Sequence, residues 1–293
     1  MMRSTYLRSQ SLRYHLATLT IFAFGLAASS AVSPAAALSS AWVAGHKVKA
    51  RLVAGRTTPS DGNKLMAFVE IVLEPGWKTY WRSPGDAGLP PSLDWSKSVN
   101  LAFAEVLFPA PRMFTDKSGH TVGYEGTLFL PIALTPKAPG EAVSLAVDAR
   151  YGICKDICVP VEAELKLDIP AGEAALAPAA ALIALDRVPR PQASVIAGDP
   201  VVVRAEALVD GDQPKVVVEA RFPAGEAEGA VYLEASNGQF LPIPDKVSDG
   251  AGGSVVFEAP LGADVDLKAL KGAIVTATIV GEAGASFATF AVP

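Results

Sequence analysis

Cys154 and Cys158 are the only cysteines in the 293-residue chain, four positions apart in Tyr151-Gly-Ile-Cys-Lys-Asp-Ile-Cys-Val-Pro160. Two thiols so placed can close a disulfide, exchange with a third thiol, or ligate a soft metal. As a staple the bridge is weak. In the chain-entropy model, closing a loop of about five residues contributes ~2 kcal/mol, against ~4.7 kcal/mol for a loop of about 100. Stability in an oxidising compartment is better served by joining distant strands, so the spacing points to redox exchange. A structural disulfide and a soft-metal site are the alternatives.

The neighbours of the pair bear on its reactivity. Lys155 lowers the pKa of an adjacent thiol and Asp156 raises it, so the local sequence leaves the net sign open. With Met113 and His120 the two cysteines make a conceivable Cu(I) set, since thiolate and thioether suit that ion. His120 also stands beside Asp116 and Lys117, in a loop where a solvated histidine is the ordinary reading. Other chemistries find no support. The chain has no G-x-S-x-G, no phosphate-binding P-loop, no dinucleotide glycine pattern, no H-E-x-x-H and no C-x-x-C. Asp210-Gly-Asp212 lacks the ligand spacing of a calcium loop. No cofactor is expected.

The N-terminus indicates the compartment. Arg3, Arg8 and Arg13 precede an apolar run from Leu16 to Ala28, and Ala35 and Ala37 fit a small-residue cleavage site. Residues 1–37 therefore read as a secretory signal peptide, with a mature chain beginning near Leu38. Its apolar run is interrupted by Gly25 and is short for a spanning helix. No later stretch reaches spanning length, so no membrane span is expected after cleavage and electrons must come from another polypeptide. Cleavage removes three arginines and no acids, making the formal charge of −5 three units more negative. Nothing resembles a phosphate-binding footprint, which argues against nucleic acid.

The elements that must hold the pair read as strands. Val161-Glu-Ala-Glu-Leu-Lys-Leu-Asp-Ile169 alternates without error, and Ala142–Tyr151 puts Val143, Leu145, Val147, Ala149 and Tyr151 on one face. The cysteines then fall in the connection between two strands. Further strands are expected at His46–Val53, Leu65–Leu73, Lys78–Arg82, Leu101–Phe108 and Thr127–Leu134. A second series is expected at Val201–Ala207, Lys215–Arg221, Ala230–Glu234, Ser254–Glu258, Ala273–Val280 and Ser286–Val292. All four tryptophans precede residue 100, and the last hundred residues carry neither tryptophan nor cysteine. The chain is thus expected to be all-β, with two immunoglobulin-like antiparallel β-sandwich domains at 42–170 and 192–293. An Ala/Pro-rich, partly helical linker at 171–191 joins them.

Three phrases carry a resemblance: Pro75-Gly-Trp-Lys-Thr-Tyr-Trp-Arg-Ser-Pro-Gly-Asp-Ala-Gly-Leu-Pro90, Gly123-Tyr-Glu-Gly-Thr-Leu-Phe-Leu-Pro-Ile132 and Ala149-Arg-Tyr-Gly-Ile-Cys-Lys-Asp-Ile-Cys-Val-Pro-Val-Glu162. Residues 42–170 resemble the N-terminal periplasmic domain of the thiol:disulfide interchange protein DsbD, closest to its ScsB-like branch. The resemblance implies an immunoglobulin-like sandwich in the periplasm whose cysteine pair takes electrons from a thioredoxin-like module and hands them to periplasmic partners. It further implies that Cys158 forms the mixed disulfide and Cys154 resolves it. A cap loop bearing an aromatic residue corresponds to Pro111–His120, with Phe114 as the cap and Tyr80 as a floor residue. The cysteine spacing here is shorter than in the better-studied domains. The family's membrane-embedded and thioredoxin-like parts are not found in the sequence, so the expectation is a stand-alone module that docks with a separate membrane-embedded thiol reductase, its second sandwich a spacer or docking surface, with a relative that lost the pathway and kept the fold as the alternative.

Overall fold

The computed structural model describes Met1 and residues 38–116, 119–172, 175–223 and 229–293. The rest of the expected signal segment, and Lys117, lie outside the described residues. The first half contributes β1 (Leu38–Ser39), β2 (Val43–Gly45), β3 (Val48–Arg56), β4 (Leu65–Leu73), β5 (Lys78–Gly85), β6 (Ser92–Asp94) and β7 (Leu101–Val106). It continues with β8 (Arg112–Asp116), β9 (Gly119–Glu125), β10 (Thr127–Pro136), β11 (Val143–Cys154) and β12 (Cys158–Ile169). One sheet runs β1-β3-β4-β10-β7 with β2 added on β3; the facing sheet runs β12-β11-β5-β9-β8 with β6 added on β11.

Period-two alternation supplies the glue between the two sheets. In β12, Val161, Ala163, Leu165, Leu167 and Ile169 are buried while Glu162, Glu164, Lys166 and Asp168 are exposed. In β11 the same face buries Val143, Leu145, Val147, Ala149 and Tyr151, against Leu52, Val69 and Leu130 of the other sheet. Each such fully buried aliphatic side chain is worth about 1.5–3 kcal/mol relative to exposure. Trp81, completely buried in β5, is the largest piece of this core.

Beyond β12 the chain forms α1 (Ala179–Asp186), whose fully buried Ala181 packs with Val53, Phe68 and Phe129 on the outside of the first sheet. The segment before it is hydrogen-bonded to β3, with Arg56 N–H donating to Ala175 O at 2.9 Å and Ala177 N–H to Arg56 O at 3.0 Å. The expected linker is therefore a docked element.

The second half supplies β13 (Arg190–Pro191), β14 (Val201–Leu208), β15 (Lys215–Arg221), β16 (Ala230–Ala235), β17 (Asp245–Asp249), β18 (Ser254–Pro260), β19 (Ile274–Val280) and β20 (Ala285–Ala291). They form sheets ordered β13-β20-β19-β16 and β14-β15-β18-β17 around Val218, Phe257, Ala277 and Ile279. The architecture is all-β, two antiparallel sandwiches joined by a partly helical segment. Both sandwiches belong to one compact unit, Ala35–Pro293. Trp81 of the first meets Tyr232 of the second with ring centroids 5.6 Å apart, and Arg82 donates twice to the Glu234 carboxylate at 2.8 Å.

Two sequence expectations need correction. Cys154 and Cys158 are not in the connection between strands but are the last residue of β11 and the first of β12. The strands run further toward each other because only Lys155–Ile157 are needed for the reversal. The segment Pro111–His120, read as a loop, contains β8 and the start of β9, paired from Arg112↔Gly123 to Asp116↔Gly119.

Candidate functional site

The β11–β12 ladder runs without a bulge from Val143↔Ile169 to Cys154↔Cys158, so the two cysteines face each other across the mouth of a hairpin. They are joined in a disulfide, with Cα atoms 4.1 Å apart. Their surroundings differ. At its end β11 lies between β12 and β5, where Cys154 stands opposite Lys78, and Cys154 is only 4% exposed. β12 is the outer strand of its sheet, and Cys158 is exposed. Cys158 is thus the exposed residue of the pair and Cys154 the buried one.

Tyr80 places a hydroxyl on the accessible sulfur. Its Oη lies 3.2 Å from Cys158 Sγ, and since a disulfide sulfur carries no proton the hydroxyl is the donor. The ring is 1% exposed. It is held between two glycines: a Cβ on Gly88 would lie 2.5 Å from the ring, and one on Gly152 would lie 3.0 Å from it. Leu89 O accepts from Gly152 N–H at 2.9 Å, and Asp86 Oδ2 accepts from His120 N–H at 2.8 Å, so the 86–90 segment is pinned at both ends. Together Tyr80, Leu89, Val159 and Pro160 wall an apolar groove of 430 Å³ beside Cys158.

On the Cys154 side, Phe114 of β8 borders an open pocket of 400 Å³ with Gly76, Lys78, Cys154 and Lys155. The Phe114 ring is half-buried and has the Lys78 ammonium and the Arg112 guanidinium each 5.5 Å from its centroid. Tyr124, buried in β9, donates its hydroxyl to Pro109 O at 2.8 Å and anchors the chain just before β8. Burial pushes the Tyr124 hydroxyl well above its ordinary range and the Tyr151 hydroxyl up to about 12. Neither exchanges a proton near neutrality.

Residues 49–170 match the family described as "Thiol:disulfide interchange protein DsbD, N-terminal". Residues 49–170 form a DsbD-N-like domain. Among solved structures, the chain is similar to the N-terminal periplasmic domain of ScsB from Proteus mirabilis. The TM-score is 0.66 at 19% identity, over 88% of this chain and 99% of that one. That share exceeds the DsbD-N-like domain, so the likeness of fold takes in the second sandwich. No curated protein matches the chain.

Within the DsbD-N-like domain, the structure brings Tyr80 and Cys158 into contact and sets Phe114 on the pocket that Cys154 borders. Of the Cu(I) set, Met113 borders both the Cys154 pocket and the neighbouring pocket that His120 shares with Asp86, and His120 Nδ1 lies 3.0 Å from Thr115 Oγ1. Among the described residues no cluster of three His, Cys, Asp or Glu side chains could hold a metal.

Gly88 and Gly152 were not singled out in the sequence, because a glycine that makes room for a ring 8 or 72 positions away looks like any turn or strand glycine. Gly88 sits at φ +140°, where side chains are strained. Gly88→Ala is expected to cost about 1–3 kcal/mol through strain, with a comparable cost from overpacking against Tyr80. A lowered urea midpoint with an unchanged m-value would show it; an unchanged midpoint would mean that the ring is free to move.

Proposed function

We propose that the protein is a periplasmic thiol–disulfide exchange module, passing electrons between a membrane-embedded or thioredoxin-like reductase and thioredoxin-fold partner proteins through Cys154 and Cys158. The observation that carries this reading is the asymmetry of the bridge, one sulfur exposed with a hydroxyl donating to it and the other buried behind it. A partner thiolate attacks Cys158 Sγ, forming the intermolecular S–S bond, and the electron pair of the broken bond passes to Cys154 Sγ. A second partner thiol then resolves the mixed disulfide, leaving the dithiol form and an oxidised partner. In the reverse sense, the Cys158 thiolate attacks a partner disulfide and Cys154 displaces the product. Both directions conserve two electrons.

Three features support the periplasmic setting. The N-terminal segment has the order of a secretory signal, the matched ScsB domain is a periplasmic one, and a disulfide persists in an oxidising compartment. No helix among the described residues is long and apolar enough to cross a membrane. The test is reduction by a thioredoxin-fold protein. The oxidised protein, mixed with reduced thioredoxin, is expected to equilibrate with it rapidly, followed by thiol alkylation and mass shift. A bridge that stays intact while a denatured control is reduced would contradict the proposal.

A further inference from the structure

Residues directly opposite on neighbouring antiparallel strands project from the same face of a sheet. The register sets Cys158 opposite Cys154, Cys154 opposite Lys78, and Lys78 opposite Glu125. Four strands thus contribute one transverse row on the sheet's outer face. Arg112 of β8 closes it, its Nη2 2.7 Å from Glu125 Oε1. Lys78 is 7% exposed, a rare state for a lysine, and donates to Thr121 Oγ1 at 2.6 Å.

Building on the exchange role proposed above, we infer that Lys78 is a positioning residue whose ammonium stabilises the thiolate released on Cys154 when the bridge opens. The charge needs it. When a partner thiolate bonds to Cys158 Sγ, the bonding pair of the disulfide is left on Cys154 Sγ, at a buried position where desolvation disfavours an anion. In the reverse sense it is the Cys154 thiolate that attacks Cys158 to expel the partner, so holding it charged at neutral pH serves that step as well.

Several charged groups face Cys154 among the described residues. Lys78 comes from β5, Glu125 from β9 with Arg112 bound to it, and Lys155 and Asp156 from the hairpin connection. The last two are exposed, opposite in sign and screened by solvent. Glu125 lies one strand further away and is shared with Arg112. Tyr80 addresses Cys158 instead. Lys78 is the buried cation opposite Cys154 in the ladder, its ammonium held on Thr121 Oγ1.

The test uses Cys158→Ser, which leaves Cys154 as a lone thiol, with the thiolate's ultraviolet absorbance followed against pH and a cysteine-free control. Adding Lys78→Met is expected to raise the midpoint by about one unit or more, the usual effect of a close opposite charge. Lys78→Arg should restore most of the shift. Glu125→Gln, at a half-exposed position, is expected to move the midpoint down, and it carries the test if Lys78→Met does not fold. Midpoints that stay put in the folded variants would overturn the inference. The readout needs no partner, so its failure leaves the exchange reading standing, and failure of exchange leaves the midpoint result standing.

Discussion

Cys158→Ala is expected to abolish disulfide exchange completely, while Cys154→Ala is expected to leave a protein that joins its partner and cannot let go. The inequivalence follows from exposure. Cys158 presents its sulfur at the hairpin mouth, and Cys154 is 4% exposed behind it. Loss of the bridge itself cannot account for such a result. A loop this short contributes only ~2 kcal/mol in the chain-entropy model, and native domains hold about 5–15 kcal/mol in reserve. Both variants should therefore fold. Quenched-flow alkylation with a thioredoxin-fold partner would separate them: no intermolecular adduct for Cys158→Ala, and an accumulating one for Cys154→Ala. Equal behaviour of the two would argue that the sulfurs are attacked indiscriminately.

The largest effect on stability is expected from Trp81→Ala, a loss of about 3–5 kcal/mol, the range for truncating a buried aromatic. Trp81 is fully buried in β5, the strand that also carries Lys78 and Tyr80, and it touches Tyr232 of the second sandwich. Its removal hollows the core under the site and loosens the contact between sandwiches. Trp42 provides the contrast. It is 36% exposed and lies under the Lys49 and Arg51 charges at 4.4 Å, contacts worth about 0.5–1 kcal/mol each at exposed sites. Chemical denaturation should show a large fall in midpoint for Trp81→Ala and a small one for Trp42→Ala. A similar fall for both would mean that the core under β5 relaxes around the missing ring.

The legible parts of the sequence were those governed by local period. The alternation of Val161–Ile169 gave the inner and outer faces of β12 correctly, and Leu65–Leu73 and Lys215–Arg221 were read with the boundaries they have in the structure. The β8–β9 hairpin was missed for a physical reason. Gly123 interrupts the apolar pattern of β9, yet it is needed there, because a Cβ would lie 1.9 Å from Thr79 O. A glycine demanded by a close backbone approach reads in sequence as a turn. Tyr80 could be proposed from the resemblance, but its clamp between Gly88 and Gly152 could not. The row from Cys158 to Glu125 depends on register between strand residues 76 and 47 positions apart, Cys154 with Lys78 and Lys78 with Glu125, which no local pattern encodes. The charge pattern around Lys155 and Asp156 drew attention to the nearest residues in sequence, while the buried cation opposite Cys154 came from another strand.

The measurement that bears most directly on the central claim is trapping in the native host. Cys154→Ala, expressed with Cys158 unpaired, is expected to accumulate mixed disulfides with a thioredoxin-fold protein or a membrane reductase, visible on a non-reducing gel and absent from the double cysteine variant. No adducts, together with a wild-type bridge that resists reduced thioredoxin, would contradict the account and leave the pair as a structural disulfide.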